Sequence, residues 1–329
     1  MPNRRDPDAS GRGSEDPAPH GVPESLGDLH WALPKTFLGL DSPAGSADRA
    51  DSWILPVPYE STTSWGSGTR RGPDAILGAS RYVELYDQEF DCEPGGELSI
   101  HTLPSLELSR AGAGPAMEEL GRAYGRVAAE AGDRFLLMLG GEHSVSAPPI
   151  RVQAERLAEK TGERLSVLQL DAHADLRGEF EGTPHSHACA MARVLDVADV
   201  VAVGVRGVSA EEVEVSRKHE GSTLLWADEM HAGEEWMDRA MDALGPTVYL
   251  TFDVDFFDPS IVPSTGTPEP GGGSWYPTLK FLKRVFAERH VVAADVVELA
   301  PTPGLPAPDF LVAKLVYKLI SYRFQSRFP

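Results

Sequence analysis

The sequence has few cysteines, no long apolar run, and far fewer basic than acidic residues. Its two cysteines, Cys92 and Cys189, lie far apart and in no metal-ligand spacing, so neither a disulfide framework nor a thiolate zinc site is expected. No segment approaches the roughly 18 consecutive apolar residues of a membrane helix, and residues 1–21 lack the apolar centre of a secretory signal. We therefore expect a cytoplasmic protein with no membrane partner.

The charge balance argues against a second class of partner. The chain carries 30 Lys and Arg against 50 Asp and Glu, which gives a formal net charge of -20. Nucleic-acid binding needs clustered basic residues that contact the phosphates, so no nucleic-acid partner is expected. The acidity is compatible with a small cationic ligand, although acidity of this kind also serves solubility alone.

Composition divides the chain into a tail and one folded body. Residues 1–30 are rich in Pro, Gly, Ser, Asp and Arg and contain almost no apolar residues. Such a segment cannot bury enough surface to offset the entropy lost on folding. We therefore predict a disordered tail over residues 1–30 and a single domain over residues 31–329.

Short apolar runs alternate with amphipathic stretches along the predicted domain. Runs that are apolar on both faces predict buried strands at residues 53–57, 134–139, 165–170, 200–205, 247–252 and 291–297. Helical periodicity predicts helices at residues 116–131, 150–161, 211–220, 234–244, 278–289 and 309–324. Strands that alternate with helices predict an α/β fold, in which a mainly parallel sheet is covered by helices on both faces.

Three of the predicted strands end in clusters of aspartate and histidine. The segment GGEHS follows one strand, DAHAD follows the next, and DVD follows a third. In open α/β sheets, ligands bind beyond the carboxyl ends of the strands. The clusters supply six candidate metal ligands: His143, Asp171, His173, Asp175, Asp253 and Asp255. Four carboxylates and two imidazoles suit manganese or a similar octahedral divalent ion.

The spacing of these residues supports a shared site. If the chain stays extended, Asp171, His173 and Asp175 project to one side of it. Taken alone, each cluster is more often a capped or solvated strand end. Their coincidence favours two bound cations, because unpaired carboxylates gathered at one edge of a sheet repel one another. A single-zinc deacetylase relative would need only part of this ligand set.

These motifs resemble those of the arginase and agmatinase family, the ureohydrolases. The similar segments are GGEHS, DAHADLR with SHACAMARV, FDVDFFDPSIVPSTGTPEPGG, DVVELAP, and the early segment VPYESTTSWGSGTRRGPDAI. The resemblance implies a single three-layer α/β/α domain, two Mn²⁺ per subunit with Ni²⁺ or Co²⁺ as alternatives, and a homotrimer or homohexamer. It implies two overlapping ligand sets: His143, Asp171, Asp175 and Asp253 for one ion, and Asp171, His173, Asp253 and Asp255 for the other.

The resemblance also implies a reaction, in which a metal-bridging hydroxide attacks the carbon of a guanidinium group and urea is released. Asp175 would relay a proton to the leaving nitrogen, and His187 would exchange protons with solvent. Glu298 would hold the guanidinium by charge-assisted hydrogen bonds. Without the resemblance, His187 is typical of a helix-start residue bonded to backbone, and Glu298 of a salt-bridge partner.

The loop after DAHAD is the expected determinant of substrate choice. It reads LRGEFEGTPHS and lacks the Asn, Thr and Ser series with which arginase-like enzymes hold an α-carboxylate. The loop resembles the agmatinase branch, which implies hydrolysis of agmatine to putrescine and urea. Glu179, Glu181 and Glu269 are candidates to face the ammonium of a small cationic guanidino substrate. Arg177 leaves guanidinobutyrate or another guanidino acid open, and a catalytically silent binding subunit is a further alternative.

Overall fold

The structure, a computed structural model, describes residues 35–40 and 47–329. The tail predicted over residues 1–30 lies outside the described residues, so that prediction stays a prediction. Over the two described ranges, no helix is long and apolar enough to cross a membrane.

A single sheet of eight strands forms the centre of the described domain. In chain order the strands are β1 (Ser52–Val57), β2 (Ile100–Thr102), β3 (Phe135–Gly140), β4 (Leu165–Leu170), β5 (Ala198–Val205), β6 (Ser222–Trp226), β7 (Thr247–Asp253) and β8 (His290–Val297). Their spatial order is β2-β1-β3-β8-β7-β4-β5-β6, and every neighbouring pair is parallel. The predicted α/β fold is confirmed, and the sheet is entirely parallel.

Helices connect the strands, as parallel pairing requires. The α-helices of the described residues are α1 (Gly72–Ser80), α2 (Pro94–Glu97), α3 (Ala113–Ala131), α4 (Ala147–Thr161), α5 (Ala210–Lys218), α6 (Ala227–Ala232), α7 (Glu235–Ala243), α8 (Trp275–Glu288) and α9 (Ala307–Arg323). All six predicted helices are present with boundaries shifted by up to three residues. Helices α1, α2 and α6 and strands β2 and β6 were not predicted.

The two faces of the sheet bury separate hydrophobic clusters. Successive residues of β1 alternate between them: Ile54 packs in the cluster that contains α1, α8 and α9, whereas Trp53 and Leu55 pack in the cluster that contains α3. Helix α4 covers the same face as α3, against β4 and β5. The domain is therefore three-layered, and both faces of the central strands are closed to solvent.

Candidate metal centre

Four adjacent strands, in the spatial order β3-β8-β7-β4, occupy the middle of the sheet. GGEHS, ELAP, DVD and DAHAD lie at their respective carboxyl ends. Since all four strands are parallel, these ends meet at one edge, where ligands of open α/β sheets bind. The topology therefore brings together segments that are up to 155 residues apart in sequence.

All six predicted metal ligands converge at this edge. The donor atoms of His143, Asp171 and Asp253 lie within 4.8 Å of one another, and so do those of Asp171, His173 and Asp255. Asp171 belongs to both groups. Asp175 joins the first group, because its Oδ2 lies 2.9 Å from Nδ1 of His143.

The chain does not stay extended through DAHAD, as the simple spacing argument assumed. Asp175 has a φ of 53°, in the left-handed region that residues other than glycine rarely adopt. This turn directs Asp175 to His143, while His173 faces Asp255 at 3.0 Å. Glu298 is also left-handed, with a φ of 66°. Such conformations cost about 1–3 kcal/mol each and cluster at functional sites.

Three of the aspartates use one oxygen to hold the loops and turn the other towards the cluster. Oδ1 of Asp171 accepts a hydrogen bond from the backbone N–H of His173 at 2.6 Å. Oδ1 of Asp253 accepts from the N–H of Asp255 at 2.9 Å, and Oδ1 of Asp255 accepts from the N–H of Ala172 at 2.9 Å. The carboxylates are therefore fixed by backbone hydrogen bonds. Their Oδ2 atoms face the imidazoles, and Oδ1 of Asp171 also lies 3.5 Å from Nδ1 of His173, so these oxygens are the candidate ligand atoms.

A buried chain of hydrogen bonds orients His143. Its Nε2 lies 2.9 Å from Oγ1 of Thr251, and the Thr251 hydroxyl donates to Oδ1 of Asp295 at 2.6 Å. Tyr249 donates to the other oxygen of Asp295 at 2.8 Å. Since the Thr251 proton is used by Asp295, the hydroxyl accepts a hydrogen bond from Nε2–H. Nδ1 of His143 is then the nitrogen with a free lone pair, as a metal ligand requires.

The charges of the cluster do not balance within the chain. Burial raises the pKa of Asp253 well above its ordinary value, and the negative charges of Asp255 and Asp171 raise it further. Burial lowers the pKa of His173, but Asp255 and Asp171 more than offset this and raise it to about 12. Among the described residues, no lysine or arginine forms an ion pair with any of the four aspartates.

The donor set therefore fits divalent cations. Nδ1 of His143 is buried, lies 2.9–3.3 Å from three carboxylate oxygens, and has no hydrogen-bond partner of suitable direction. Protonation of this nitrogen would add one positive charge to four carboxylates, whereas two divalent ions would add four. Carboxylate oxygens with imidazole nitrogens suit manganese and similar ions.

Glu298 lies beside this cluster and is 6% exposed. Its Oε1 accepts a hydrogen bond from the backbone N–H of His143 at 2.6 Å. Burial raises the pKa of Glu298 well above its usual value, and the negative charge of Glu142 adds to the increase. Its Oε2 faces the loop at Gly266. A Cβ added to this glycine would lie 3.8 Å from Oε2 of Glu298. No lysine or arginine among the described residues pairs with it, so the salt-bridge alternative for Glu298 has no partner there.

A cavity of about 110 Å³ opens next to the cluster. It is lined by Ser64, His173, Asp175, Arg177, Phe180, His187, Ala188, Gly207, Glu212 and Thr267. The structure thus places His187 at the same cavity as the candidate ligands His173 and Asp175. Gly207 is required for space, because a Cβ there would approach the His173 ring to 2.8 Å.

The three glutamates suggested as substrate contacts differ in position. Glu179 and Glu181 are exposed, and neither lines the cavity. Glu269 lies closer to the candidate ligands. A Cβ built on Gly207 would lie 2.8 Å from the His173 ring and 3.3 Å from Cγ of Glu269, so both side chains border this glycine. Arg177 does line the cavity, with its guanidinium 4.9 Å from the Phe180 ring centroid.

Three residues near the site were not predicted from the sequence. Thr251 orients His143, and Nε2 of Gln169 donates to Oδ2 of Asp171 at 2.8 Å. Both are polar residues inside fully buried strands that are mostly apolar, which is a signal that the sequence does carry. Glu212 forms a capping box with Ser209 at the start of α5 and accepts from the N–H of Leu176 at 3.2 Å. The S-x-x-E pattern could have indicated it.

Comparison with known proteins agrees with this geometry. The model of the arginase family matches residues 50–321. An N(1)-aminopropylagmatine ureohydrolase from Synechocystis sp. is 37% identical over 300 residues, which cover 89% of this chain and 95% of that protein. An agmatinase from Pyrococcus horikoshii is 31% identical, over 85% of this chain and 95% of that protein.

A solved structure shows the same fold. The agmatine ureohydrolase of Thermoplasma volcanium superposes with a TM-score of 0.75 at 24% identity, over 85% of this chain and 92% of that one. The family match spans all the segments whose motifs converge at the carboxyl edge of the sheet. The chain belongs to the arginase family and is a hydrolase of the agmatinase-like kind that acts on amidino C–N bonds.

Proposed function

We propose that the protein hydrolyses the guanidino group of a linear polyamine to release urea, with two divalent metal ions, manganese foremost. The observation that carries the proposal is the set of four buried aspartates that face two imidazoles and pair with no lysine or arginine of the described residues. His143, Asp171, Asp175 and Asp253 would hold one ion. Asp171, His173, Asp253 and Asp255 would hold the other.

The metal ions, when bound, would act as Lewis acids that make water a nucleophile near neutral pH. The chain's own residues bind the substrate and move protons. Glu298 is a buried carboxylate whose Oε1 is held by a backbone N–H, so its Oε2 can accept hydrogen bonds from a guanidinium and orient the carbon. Asp175 lies between cluster and cavity, where its carboxylate can pass a proton to the leaving nitrogen. His187 borders the same cavity and can exchange that proton with solvent.

The overall reaction adds water across one C–N bond. The oxygen of water joins the guanidino carbon, the bond from this carbon to the chain nitrogen breaks, and the nitrogen leaves as a primary amine after it gains a proton. Agmatine would give putrescine and urea. N(1)-aminopropylagmatine would give the correspondingly longer polyamine and urea.

N(1)-aminopropylagmatine is our first candidate substrate, and agmatine is the second. The support for the first is the 37% identity to the Synechocystis enzyme over 89% of this chain. A guanidino acid is less favoured, because Arg177, the cavity residue that could bind its carboxylate, has its Nε 3.6 Å from Oε2 of Glu212. Glu212 is 3% exposed, so this charge is already partly neutralised.

A panel of substrates tests the proposal. We expect kcat/KM for urea release to fall from N(1)-aminopropylagmatine to agmatine, and arginine to be roughly a hundredfold poorer than agmatine because its carboxylate would be bound without a partner. Glu298→Gln, which keeps the shape of the side chain, should retain metal but lose turnover. Preference for arginine or guanidinobutyrate would overturn the substrate assignment. Two bound metals with no urea from any compound would favour the silent binding subunit.

The native metal and the number of subunits extend the same proposal. The resemblance to the family supports manganese and a homotrimer or homohexamer. Native mass spectrometry of the full chain, loaded with manganese, nickel or cobalt, measures subunit number and bound metal together. A monomer in that measurement, or faster urea release with nickel or cobalt than with manganese in a parallel assay, would correct these two parts and leave the reaction intact.

A further inference from the structure

His187 is held by the early loop of the chain as well as by its own segment. Its backbone N–H donates to Oγ1 of Thr62 at 3.0 Å, and its ring Nδ1 lies 3.3 Å from the same oxygen. Its Nε2 lies 3.3 Å from Oγ of Ser64. Two hydroxyls from residues 62 and 64 therefore contact the two ring nitrogens, across more than 120 residues of sequence.

We propose that Glu142 and Thr62 are positioning residues that fix the tautomer of His187, with the proton on Nδ1 and a free lone pair on Nε2. The inference rests on the proposed role of His187 in proton exchange. It assigns a purpose to Glu142, a buried acid within GGEHS that is neither a proposed metal ligand nor a residue that lines the cavity.

Glu142 is fully buried and accepts four hydrogen bonds. Oε2 accepts from the backbone N–H groups of Ser61 and Thr62, both at 2.6 Å. Oε1 accepts from the hydroxyls of Thr62 at 2.8 Å and Ser144 at 2.7 Å. In all four contacts the carboxyl oxygens of Glu142 are the hydrogen-bond acceptors. The Thr62 hydroxyl proton is therefore used by Glu142.

The direction of this bond determines what Thr62 can offer to His187. With its proton on Glu142, Oγ1 of Thr62 presents only lone pairs to the ring. A lone pair on Nδ1 would face them without attraction, whereas Nδ1–H can donate. Ser186, whose Oγ also lies 3.3 Å from Nδ1, can accept as well. The Nδ1–H tautomer therefore satisfies both contacts, and the alternative satisfies only one.

The other ring nitrogen is then ready to receive a proton at the cavity. Ser64 and His187 both line the cavity, and the Ser64 hydroxyl can donate a hydrogen bond to the lone pair on Nε2 of His187. Phe180 holds the ring plane, since the two rings meet edge to face with centroids 6.0 Å apart and an interplanar angle of 88°. A proton that leaves the cavity through His187 would thus bind at Nε2.

Glu142→Gln should reverse the direction of the hydrogen bonds from His187 to Thr62 and from Thr62 to residue 142, by the same reasoning. The amide oxygen must stay with the backbone N–H groups of Ser61 and Thr62, because only an acceptor satisfies them. The amide NH₂ would then face the hydroxyls, and Thr62 would accept from it. Its own proton would be free to bond Nδ1 of His187, which favours the tautomer with the proton on Nε2.

Thr62 offers a matched pair of variants. Thr62→Val keeps the shape of the side chain and removes the hydroxyl, whereas Thr62→Ser keeps the hydroxyl. We expect Thr62→Val and Glu142→Gln to lower kcat by about 10²-fold, the lower end of what general acid–base catalysis contributes, with KM and bound manganese unchanged. Thr62→Ser should retain most of the turnover. A merely structural role for Thr62 would instead change KM or metal content together with kcat.

Neutron diffraction from deuterated, manganese-loaded crystals, at a pH where the imidazole is neutral, reads the tautomer without reference to activity. We expect deuterium on Nδ1 of His187 in the wild type and in Thr62→Ser, and on Nε2 in Glu142→Gln. Deuterium on Nε2 in the wild type would overturn the inference, as would wild-type kcat in Thr62→Val. If Glu142→Gln does not fold, the comparison of kcat between Thr62→Val and Thr62→Ser still tests the inference. If the wild type carries deuterium on Nδ1 of His187 but releases no urea, the inferred tautomer is upheld and the proposed function is refuted.

Discussion

Two regions of the molecule bury acidic side chains, and they differ in how the charge is neutralised. Lys318 on α9 is 4% exposed, and its Nζ lies 2.8 Å from both oxygens of Asp87 and 2.5 Å from Oε1 of Glu89. At the carboxyl edge of the sheet, four equally buried aspartates face two imidazoles. Lys283 places its Nζ 3.2 Å from Oε2 of Glu89, so two lysines neutralise two carboxylates in the first region, whereas the second region is left with excess negative charge.

The difference separates a structural ion cluster from a binding site. A buried charge is costly unless it is paired and hydrogen-bonded. Beneath α9, the hydroxyl of Tyr322 also donates to Glu89 at 3.0 Å, so little remains for a ligand to supply. At the sheet edge, the missing positive charge has to come from outside the polypeptide. We infer that this region is kept for its ligands and the other for stability.

The largest expected effect comes from Asp253→Asn, which removes one negative charge from a proposed bridging ligand and keeps its shape. Metal affinity and urea release should fall by more than the roughly 10–100-fold that follows loss of a residue that only orients a ligand. Metal content by elemental mass spectrometry and the rate of urea release measure the two effects. Two tightly bound ions in this variant would show that Asp253 is not a ligand.

Lys318→Met should break the other region and leave the metal centre intact. Removal of one partner from a buried ion cluster destabilises a protein by about 3–5 kcal/mol, so the free energy of unfolding in urea should fall by that amount. The metal content per folded chain should not change. Addition of Asp87→Asn to Lys318→Met should recover part of the stability, because fewer unpaired charges stay buried. Loss of metal at unchanged stability would contradict the distinction between the regions.

A smaller effect is expected from Thr251→Val, which removes the hydroxyl between His143 and Asp295. The ring of His143 would lose the bond that fixes its tautomer, and metal affinity should weaken by about 10–100-fold. Thr251→Ser is the control, since it keeps the hydroxyl. Titration of manganese against urea release should show a shifted midpoint with a nearly unchanged plateau in the valine variant. Equal midpoints for the valine and serine variants would exclude the orienting role.

The predicted fold agrees with the structure where strands are buried on both faces. Strand β4 was predicted at its observed boundaries, Leu165–Leu170, because all six residues are buried. The two missed strands lie at the edges of the sheet. Strand β2 has only three residues, and four of the five residues of β6 are partly exposed. Edge strands lack the continuous apolar run that identifies a central strand.

The candidate site was only partly accessible from the sequence. Motifs named the six candidate ligands, but the turn at Asp175 depends on its φ of 53°, which an extended spacing argument cannot supply. The link from Glu142 to Thr62 spans 80 residues, and that from Thr251 to His143 spans 108. Such contacts follow from strand order. They become visible only when the sheet is assembled.

Metal stoichiometry of the full chain tests the central claim most directly. Metal-free protein is titrated with manganese while bound metal per chain and urea release from N(1)-aminopropylagmatine are followed together. The account predicts two ions per chain, with full activity reached only when the second site fills. A single zinc ion per chain, or full urea release from metal-free protein, would contradict it.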